Sequence, residues 1–225
     1  MSDLLPLFLN LTGRRVVLVG GGRVAGAKLS QLVAAGARVR VVAPEISPAI
    51  AAQTGPHVEL SERAFVPADL DEAWLVVAAA TPAVNREVAE AAEVRRLFVN
   101  AVDDPANASA FLSGVVRRDG VTIAISTSGD APALTALVRE AVDALLPRDL
   151  ARWVDMARKA RIVWRREAVP MDERKPLLLR ALNARYENAR LKPRAPKERR
   201  APKTVEREAS AERVPWLNAP EDTWL

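Results

Sequence analysis

The sequence predicts an α/β protein built on a doubly wound parallel sheet. Five short apolar segments lie within about the first hundred residues, and helix-like or turn-forming stretches separate them. The first segment belongs to RRVVLVGGGRVAGAK (residues 14–28), in which an apolar run ends abruptly in three glycines and an amphipathic pattern follows. Such alternation is typical of a parallel sheet with helices on both faces.

The glycine-rich stretch fits a strand, a tight turn and a helix that together bind a dinucleotide. Val16–Val19 forms the strand, and Gly20, Gly22 and Ala25 occupy the G-x-G-x-x-G/A positions. Gly20 permits the turn, Gly22 lets the backbone approach a pyrophosphate, and Ala25 lets the helix pack closely. The N–H groups at the helix start favour that anion. An ordinary glycine turn is the alternative, and the fold prediction is Rossmann-like.

The remaining elements of this region follow in order. Residues 4–11 form an extended lead-in, and the segment after the glycines is helical to about residue 35. The 75–80 segment is apolar throughout, as a central parallel strand should be. Further strands are predicted at 37–43, 57–62 and 97–102. One further helix is predicted at 46–54, and another has a buried face formed by Val84, Val88, Ala91 and Ala92.

Two loops at the strand ends hold candidate cofactor residues. Pro44 and Glu45 follow the second strand, where this kind of fold holds an acid for the adenosine ribose hydroxyls. No arginine follows there to take a 2′-phosphate, which favours NAD over NADP. A solvent-facing loop acid is the alternative for Glu45. Thr81 ends the fourth predicted strand, at the edge where nucleotides lie.

A pair of carboxylates follows the fifth predicted strand. Asp103 and Asp104 precede Pro105, and ligands bind outside the carboxyl ends of such strands. Because neighbouring side chains of an extended segment diverge, we expect one carboxylate to face the site and the other to turn the chain. The Asp103 position suits proton transfer beside a nicotinamide. A purely structural turn is the alternative.

The pattern changes after residue 110. Segments 111–117 and 121–126 are predicted strands joined by Asp119-Gly120, which indicates a hairpin. Such a pair leaves an edge or a face uncovered, and a second copy of the chain would cover it. A hydroxyl-rich loop with Ser126, Thr127 and Ser128 precedes a helix at 132–146. This loop is either a helix cap or an anion contact.

The last third of the chain is basic. A cationic amphipathic helix is predicted at 148–166, and a second helix starts near Asp172 and runs to Tyr186. Their arginines either are solvated or hold a polycarboxylate. From residue 191 onward the sequence is proline-rich and charged, which predicts disorder. The resulting division is a nucleotide-binding domain at 1–110, a dimerisation segment at 111–147, a helical domain at 148–190 and a tail at 191–225.

Composition excludes several chemistries. The absence of cysteine excludes thiolate metal sites, and the single histidine, His57, nearly excludes a Ser-His-Asp or multi-histidine metal mechanism. Residues 1–189 carry 24 Lys and Arg against 22 Asp and Glu, so charge gives no support to nucleic-acid binding by the folded part. No membrane span or secretion signal is evident, and we expect a cytoplasmic protein.

Four motifs together resemble the precorrin-2 dehydrogenase family, the amino-terminal module of sirohaem synthase. They are LPLFLNLTGRRVVLVGGGRVAGAKL, GARVRVVAPE, FVNAVDDP and TIAISTSGDAPAL. The resemblance implies a homodimer that uses NAD to oxidise precorrin-2 to sirohydrochlorin, with ferrous iron insertion in some members. It assigns the catalytic role to Asp103 and a substrate contact to the loop around Thr127. Cofactor binding falls to Gly20, Gly21, Gly22, Arg23, Val24, Ala25, Pro44 and Glu45.

The chain also departs from that family's usual motifs. Ser113 stands where a proline is common, and Asp130 stands where a lysine is common, which puts a negative charge near a polycarboxylate site. Because no methyltransferase domain follows, the resemblance implies a stand-alone form. Two other classes stay open: a regulatory module that binds NAD without turnover, and an adaptor whose basic tail binds RNA or membrane.

Overall fold

A computed structural model describes residues 4–112, 114–129 and 131–191. The departures at Ser113 and Asp130 and the predicted disorder of the tail therefore lie outside the described residues. No helix in the described ranges is both long enough and apolar enough to cross a membrane. The described residues fall into two compact units that divide after Ala168. The four-segment division of the sequence stays a prediction.

The first unit contains the predicted parallel sheet. Its strands are β1 (Arg15–Val19), β2 (Arg38–Ala43), β3 (Val58–Glu62), β4 (Leu75–Ala78) and β5 (Phe98–Ala101). They pair in the order β3-β2-β1-β4-β5, and every pairing is parallel. The strand order therefore reverses at β1, which has β2 on one side and β4 on the other. In open α/β sheets, ligands bind at such a switch point.

Helices cover both faces of the sheet, as the alternation predicts. The helices are α1 (Arg23–Ala34), α2 (Pro48–Ala51) and α3 (Pro82–Val94). Val16 and Leu18 of β1 pack in one core cluster with residues of α1 and α2. Val17 and Val19 pack in the other cluster with residues of α3. Both faces of β1 are buried, which explains why its sequence is apolar without alternation.

Two elements are shorter than the sequence predicts. A helix was expected over 46–54, but α2 spans only Pro48–Ala51, and the Thr54 hydroxyl donates to the Ala51 carbonyl to end it. The strand expected from residue 111 is described from Gly114, which pairs with Ile125 of the opposite strand. Leu112 instead packs against the sheet core, so its hydrophobicity reflects burial in a loop.

The hairpin is confirmed. β6 (Gly114–Arg118) and β7 (Val121–Ile125) pair antiparallel, and Asp119 and Gly120 both have positive φ angles, as a two-residue hairpin turn requires. The helices α4 (Pro132–Leu145) and α5 (Leu150–Arg166) follow. Arg118 joins the hairpin to α4 by donating to Asp143 Oδ1 at 2.6 Å and to the Leu146 carbonyl at 3.2 Å.

The second unit contains one described helix, α6 (Met171–Leu191). Acidic residues occupy its first turn, where they complement the helix dipole. The Arg174 guanidinium donates twice to the Val169 carbonyl, at 3.0 and 2.8 Å, and so fixes the chain just before the helix.

Candidate functional site

The glycine turn lies between β1 and α1, at the switch point of the sheet. Gly20 has a φ of +133°, and a Cβ there would overlap the carbonyl oxygen of Ala79 at the end of β4. A Cβ on Gly21 would overlap the carbonyl oxygen of Glu45. Only glycine fits either position, because the backbones of three strand ends converge there.

Gly22 differs from Gly20 and Gly21, since a Cβ on Gly22 would enter open space. It precedes α1, and no described side chain caps that helix or places an acid in its first turn. The N–H groups of the first turn therefore stay available to an anion. Arg23 and Val24 are exposed at this end, whereas Ala25 is fully buried against the sheet. This arrangement fits a pyrophosphate over Gly22.

The two loops predicted to complete the cofactor site lie at the same edge. Pro44 and Glu45 are exposed just after β2, and the Ser47 N–H donates to the Gly21 carbonyl at 2.9 Å. That hydrogen bond ties the loop carrying Glu45 to the glycine turn. Thr81 is exposed at the residue that precedes α3.

Asn85 fixes the loop around Thr81, and the sequence analysis did not single it out. Its side chain is buried, and its Oδ1 accepts the Ala80 N–H at 3.1 Å. Its own N–H donates to the Thr81 carbonyl at 2.9 Å. The sequence signal for this role was the position of Asn85 on the apolar face of Val84 and Val88. A polar side chain buried on such a face needs hydrogen-bond partners.

A cavity of about 260 Å³ lies at the carboxyl end of β5. Asp103 and Asp104 both line it. Asp103 has a φ of +57°, a left-handed conformation that aspartate tolerates better than most residues. Asp104 Oδ2 accepts the Asn107 side-chain N–H at 2.8 Å, which stabilises the turn after β5. Asp104 thus has a structural partner, and Asp103 has no hydrogen-bond partner among the described residues.

Lys28 lines the same cavity, from the second turn of α1. Burial lowers the pKa of its ammonium group, and the negative charge of Asp103 opposes that change. Lys28 and Asp103 therefore interact electrostatically across the cavity. This lysine ends the sequence GGGRVAGAK, and the dinucleotide-binding pattern assigns no role to that position. Helix α1 thus carries the anion site at its start and a cation at the cavity.

Asn100 contributes a further polar group to the cavity wall. It is buried, and its Nδ2 donates to the Ala110 carbonyl at 3.0 Å. Its Oδ1 has no partner in the part of the chain that the structure describes. A buried acceptor without a partner is costly, so a ligand N–H or O–H would be favoured there.

The hydroxyl-rich loop reaches the cavity in part. Ser126 and Thr127 line it, whereas Ser128 is not among the lining residues. The Thr127 hydroxyl lies 2.9 Å from the Thr135 hydroxyl and accepts the Ala131 N–H at 3.2 Å. Thr127 therefore binds the backbone of Ala131, the residue that precedes α4, whereas no side-chain hydrogen bond caps that helix among the described residues. No arginine of α5 is among the residues described around the cavity.

An open parallel sheet with a glycine turn at its switch point defines the class of Rossmann-like dinucleotide-binding proteins. A model described as putative NAD(P)-binding matches residues 7–114, and one described as sirohaem biosynthesis protein central matches residues 118–145. The chain therefore belongs to the family of sirohaem biosynthesis proteins that join these two domains. The cavity lies between them, since Lys28, Asn100 and Asp103 come from the first domain and Thr127 and Thr135 from the second.

Individual relatives agree with this assignment. The chain is 44% identical over 160 residues to siroheme synthase 2 of Aeromonas salmonicida and 38% identical over 187 residues to siroheme synthase of Photorhabdus laumondii. These matches cover 71% and 82% of this chain but only 33% and 40% of the relatives. The fold is also similar to a solved structure titled SirC, precorrin-2 dehydrogenase, at a TM-score of 0.63 and 23% identity, over 79% of this chain and 88% of that one.

Proposed function

We propose that this chain is an NAD-dependent dehydrogenase that oxidises precorrin-2 to sirohydrochlorin. The observation that carries the proposal is the cavity at the end of β5, where Asp103 and Lys28 lie at the same sheet edge as the glycine turn. The chain spans only about a third to two fifths of the siroheme synthases it matches, and this portion contains the NAD(P)-binding domain.

The cofactor role follows from the fit of the glycine turn. The turn from Gly20 to Ala25 holds the pyrophosphate, and Glu45 accepts hydrogen bonds from the ribose hydroxyls. Thr81 borders the site at the next strand end. NAD, rather than NADP, is the cofactor, because the loop after β2 reads PEIS and contains no arginine for a 2′-phosphate. Bound NAD supplies the hydride acceptor.

The protein supplies the proton acceptor and the orientation of the substrate. Asp103 takes the proton that leaves the tetrapyrrole as the hydride departs. Lys28 provides a positive charge beside this base and attracts the carboxylates of precorrin-2. The Asn100 Oδ1 accepts a substrate N–H, and Ser126 and Thr127 contact the opposite side of the ligand, with Ser128 outside the cavity wall.

The direct test is the D103A variant, assayed with precorrin-2 and NAD. A general base contributes roughly 10²- to 10⁴-fold, so we expect kcat to fall by about that factor while NAD affinity is retained. The measurement follows NADH absorbance together with the sirohydrochlorin spectrum. D104N is the matched control, since Asp104 holds the turn, and its kcat should change far less. Wild-type protein that binds NAD but never turns over precorrin-2 would instead favour the regulatory module.

Ferrous iron insertion into sirohydrochlorin is a second activity that the same cavity supports. The described residues include no cluster of three or more His, Cys, Asp or Glu side chains that would hold a metal ion. Iron would therefore take its ligands from the tetrapyrrole, and Asp103 would accept the protons of the pyrrole nitrogens. Anaerobic incubation with sirohydrochlorin and ferrous iron tests this, and a rate equal to that without protein would contradict it.

We also propose that the protein is a homodimer through α4 and the hairpin. Every residue of α4 is described, and none of them is buried. Its apolar residues recur at helical spacing as Leu134, Leu137, Val138 and Leu145, and all four are exposed. A contiguous apolar stripe of this kind marks a protein contact, and a second copy of the chain is its simplest occupant.

A further inference from the structure

A second and larger cavity lies at the edge of the sheet opposite to the glycine turn. Its volume is about 480 Å³, and the amino-terminal ends of β1, β2, β3 and β4 form it. Neither the proposed NAD site nor the proposed substrate cavity includes any of its residues. Its charged and aromatic lining residues are mainly Arg14, Arg15, Arg38, Arg40, His57 and Trp74.

The arginines of this cavity hold few internal partners. Arg38 donates its Nε to the Gly13 carbonyl at 3.1 Å, and Arg15 lies 3.9 Å from Glu72, too far for a hydrogen bond. Arg40 pairs with Glu59 at 2.7 Å through one nitrogen, and another of its nitrogens lies 4.0 Å from the buried carboxylate of Asp69. Its Nε is buried and finds no acceptor among the residues described. The cavity therefore retains N–H groups that an anion would satisfy.

Arg14 is held in place by an aromatic ring. Its guanidinium lies over Trp74, with Cζ 3.7 Å from the ring centroid. This contact fixes the side chain without using its N–H groups, because the attraction comes from the face of the ring. Arg14 is thus ordered in advance for an anionic ligand, which lowers the entropy lost on binding.

The arginines of the cavity start from several neighbouring backbone positions. Arg15 and Arg38 are register partners on adjacent strands, which places their Cα atoms about 4.8 Å apart. Arg38 and Arg40 are two residues apart on one strand and so lie on the same face, with Cα atoms about 6.6 Å apart. The four arginines share the cavity lining with two acidic residues, Glu59 and Glu72, and Arg40 also lies near the buried carboxylate of Asp69. Positive charge is therefore in excess over a span of several ångströms.

We propose that this cavity binds an oligophosphate group, either as an inorganic polyphosphate or as the phosphate chain of a nucleotide. The planar guanidinium fork pairs with phosphate oxygens in a bidentate manner, and several forks in a row match consecutive phosphates. The site is independent of the proposed dehydrogenase, since it lies on the opposite sheet edge. It gives the chain a second anion site, at which a ligand would bind without displacing NAD.

The test is a calorimetric titration of the full chain with tripolyphosphate, ATP and orthophosphate, with and without NAD. We expect saturable 1:1 binding of tripolyphosphate that is at least tenfold tighter than that of orthophosphate. Equal affinities for tripolyphosphate and ATP would identify the phosphates alone as the ligand. Tighter binding of ATP would identify a nucleotide whose base reaches Trp74.

Variants then locate the site. R15Q/R38Q should weaken tripolyphosphate binding at least tenfold, since two charge-assisted contacts are lost. R14Q should weaken it several-fold, and the fold should tolerate this change, because the Arg14 guanidinium stacks on the exposed ring of Trp74. R86Q/R117Q is the matched control, because both residues are exposed and lie outside the cavity. Equal weakening by the two double variants, or no saturable binding by the wild type, would overturn the proposal.

Discussion

Asp103 and Lys28 form the electrostatic centre of the candidate site, because the charge of Asp103 acts on the Lys28 ammonium group. The lowered pKa of Lys28 results first from burial, and the charge of Asp103 partly offsets that effect. A lysine that is harder to protonate in the fold than in water destabilises the folded state at neutral pH. Ionisable residues with perturbed pKa values cluster at functional sites, which agrees with a role for Lys28 beside the proposed base.

Removal of the Asp103 charge should therefore lower the pKa of Lys28 further. In D103N the burial of Lys28 is unchanged, but the negative charge that favours its ammonium form is lost. The Lys28 resonance, followed by NMR as a function of pH, should titrate at lower pH than in the wild type. D104N is the control and should leave the titration much closer to the wild-type curve. An upward shift in D103N would contradict the proposed pairing.

Among the secondary-structure elements, the short 3₁₀ turn at Pro67–Leu70 depends on one buried carboxylate. Asp69 pairs with Arg63 through both carboxylate oxygens and accepts the Val66 N–H at 3.0 Å. The hydrogen bond from Arg63 is the main cause of the lowered pKa of Asp69, and the backbone N–H of Val66 and the charge of Arg40 contribute in the same direction.

The D69N variant should therefore lower the free energy of unfolding by about 1–3 kcal/mol at pH 7, as for a lost charged hydrogen bond. Because the folded pKa is lowered, this contribution is present above the unfolded value of about 3.9 and is lost as the pH falls through the folded value. Urea unfolding at several pH values measures it. D71N is the control, since the exposed Asp71–Arg95 pair should contribute less than about 1 kcal/mol. Equal losses in both variants would contradict this assignment.

The sequence predicts elements well where local pattern and tertiary environment agree. β1 and α1 follow from the VVLVGGG pattern, and the hairpin follows from Asp119-Gly120, because backbone conformation there depends on local residues. Phe111 and Leu112 were assigned to a strand but lie in a loop that lines the cavity. An apolar run alone does not distinguish a strand from a buried loop.

The candidate site was predictable only in part, for a related reason. Asp103 lines the cavity, and its place at a strand end is a local property that the sequence shows. Lys28 acquires its significance from Asp103, which is distant in the chain, and Asn85 and Asn100 acquire theirs from burial. The unpartnered Oδ1 of Asn100, for example, depends on burial that no spacing rule reveals.

At the scale of the whole molecule, the hairpin and α4 form a poorly covered part of the first unit, since only Val116 of these elements is buried. A two-stranded sheet is marginal without a further partner, and the apolar stripe of α4 is exposed. Thr135 of α4 also lines the cavity, so dimer formation would order one wall of the proposed substrate site. Association and catalysis should therefore be coupled.

The L137E variant tests this coupling. A two-fold contact through α4 would bring two introduced carboxylates close together in an apolar environment, which costs several kcal/mol, so we expect the dimer to dissociate into monomers. Size-exclusion chromatography with light scattering measures the mass. V94E is the matched control, since Val94 is also apolar and exposed but lies on α3, and this variant should remain a dimer.

If association and catalysis are coupled, L137E loses turnover of precorrin-2 while NAD affinity is kept, because the glycine turn and α1 lie in the parallel-sheet domain. A monomeric wild type, or the same mass for both variants, would contradict the proposed interface.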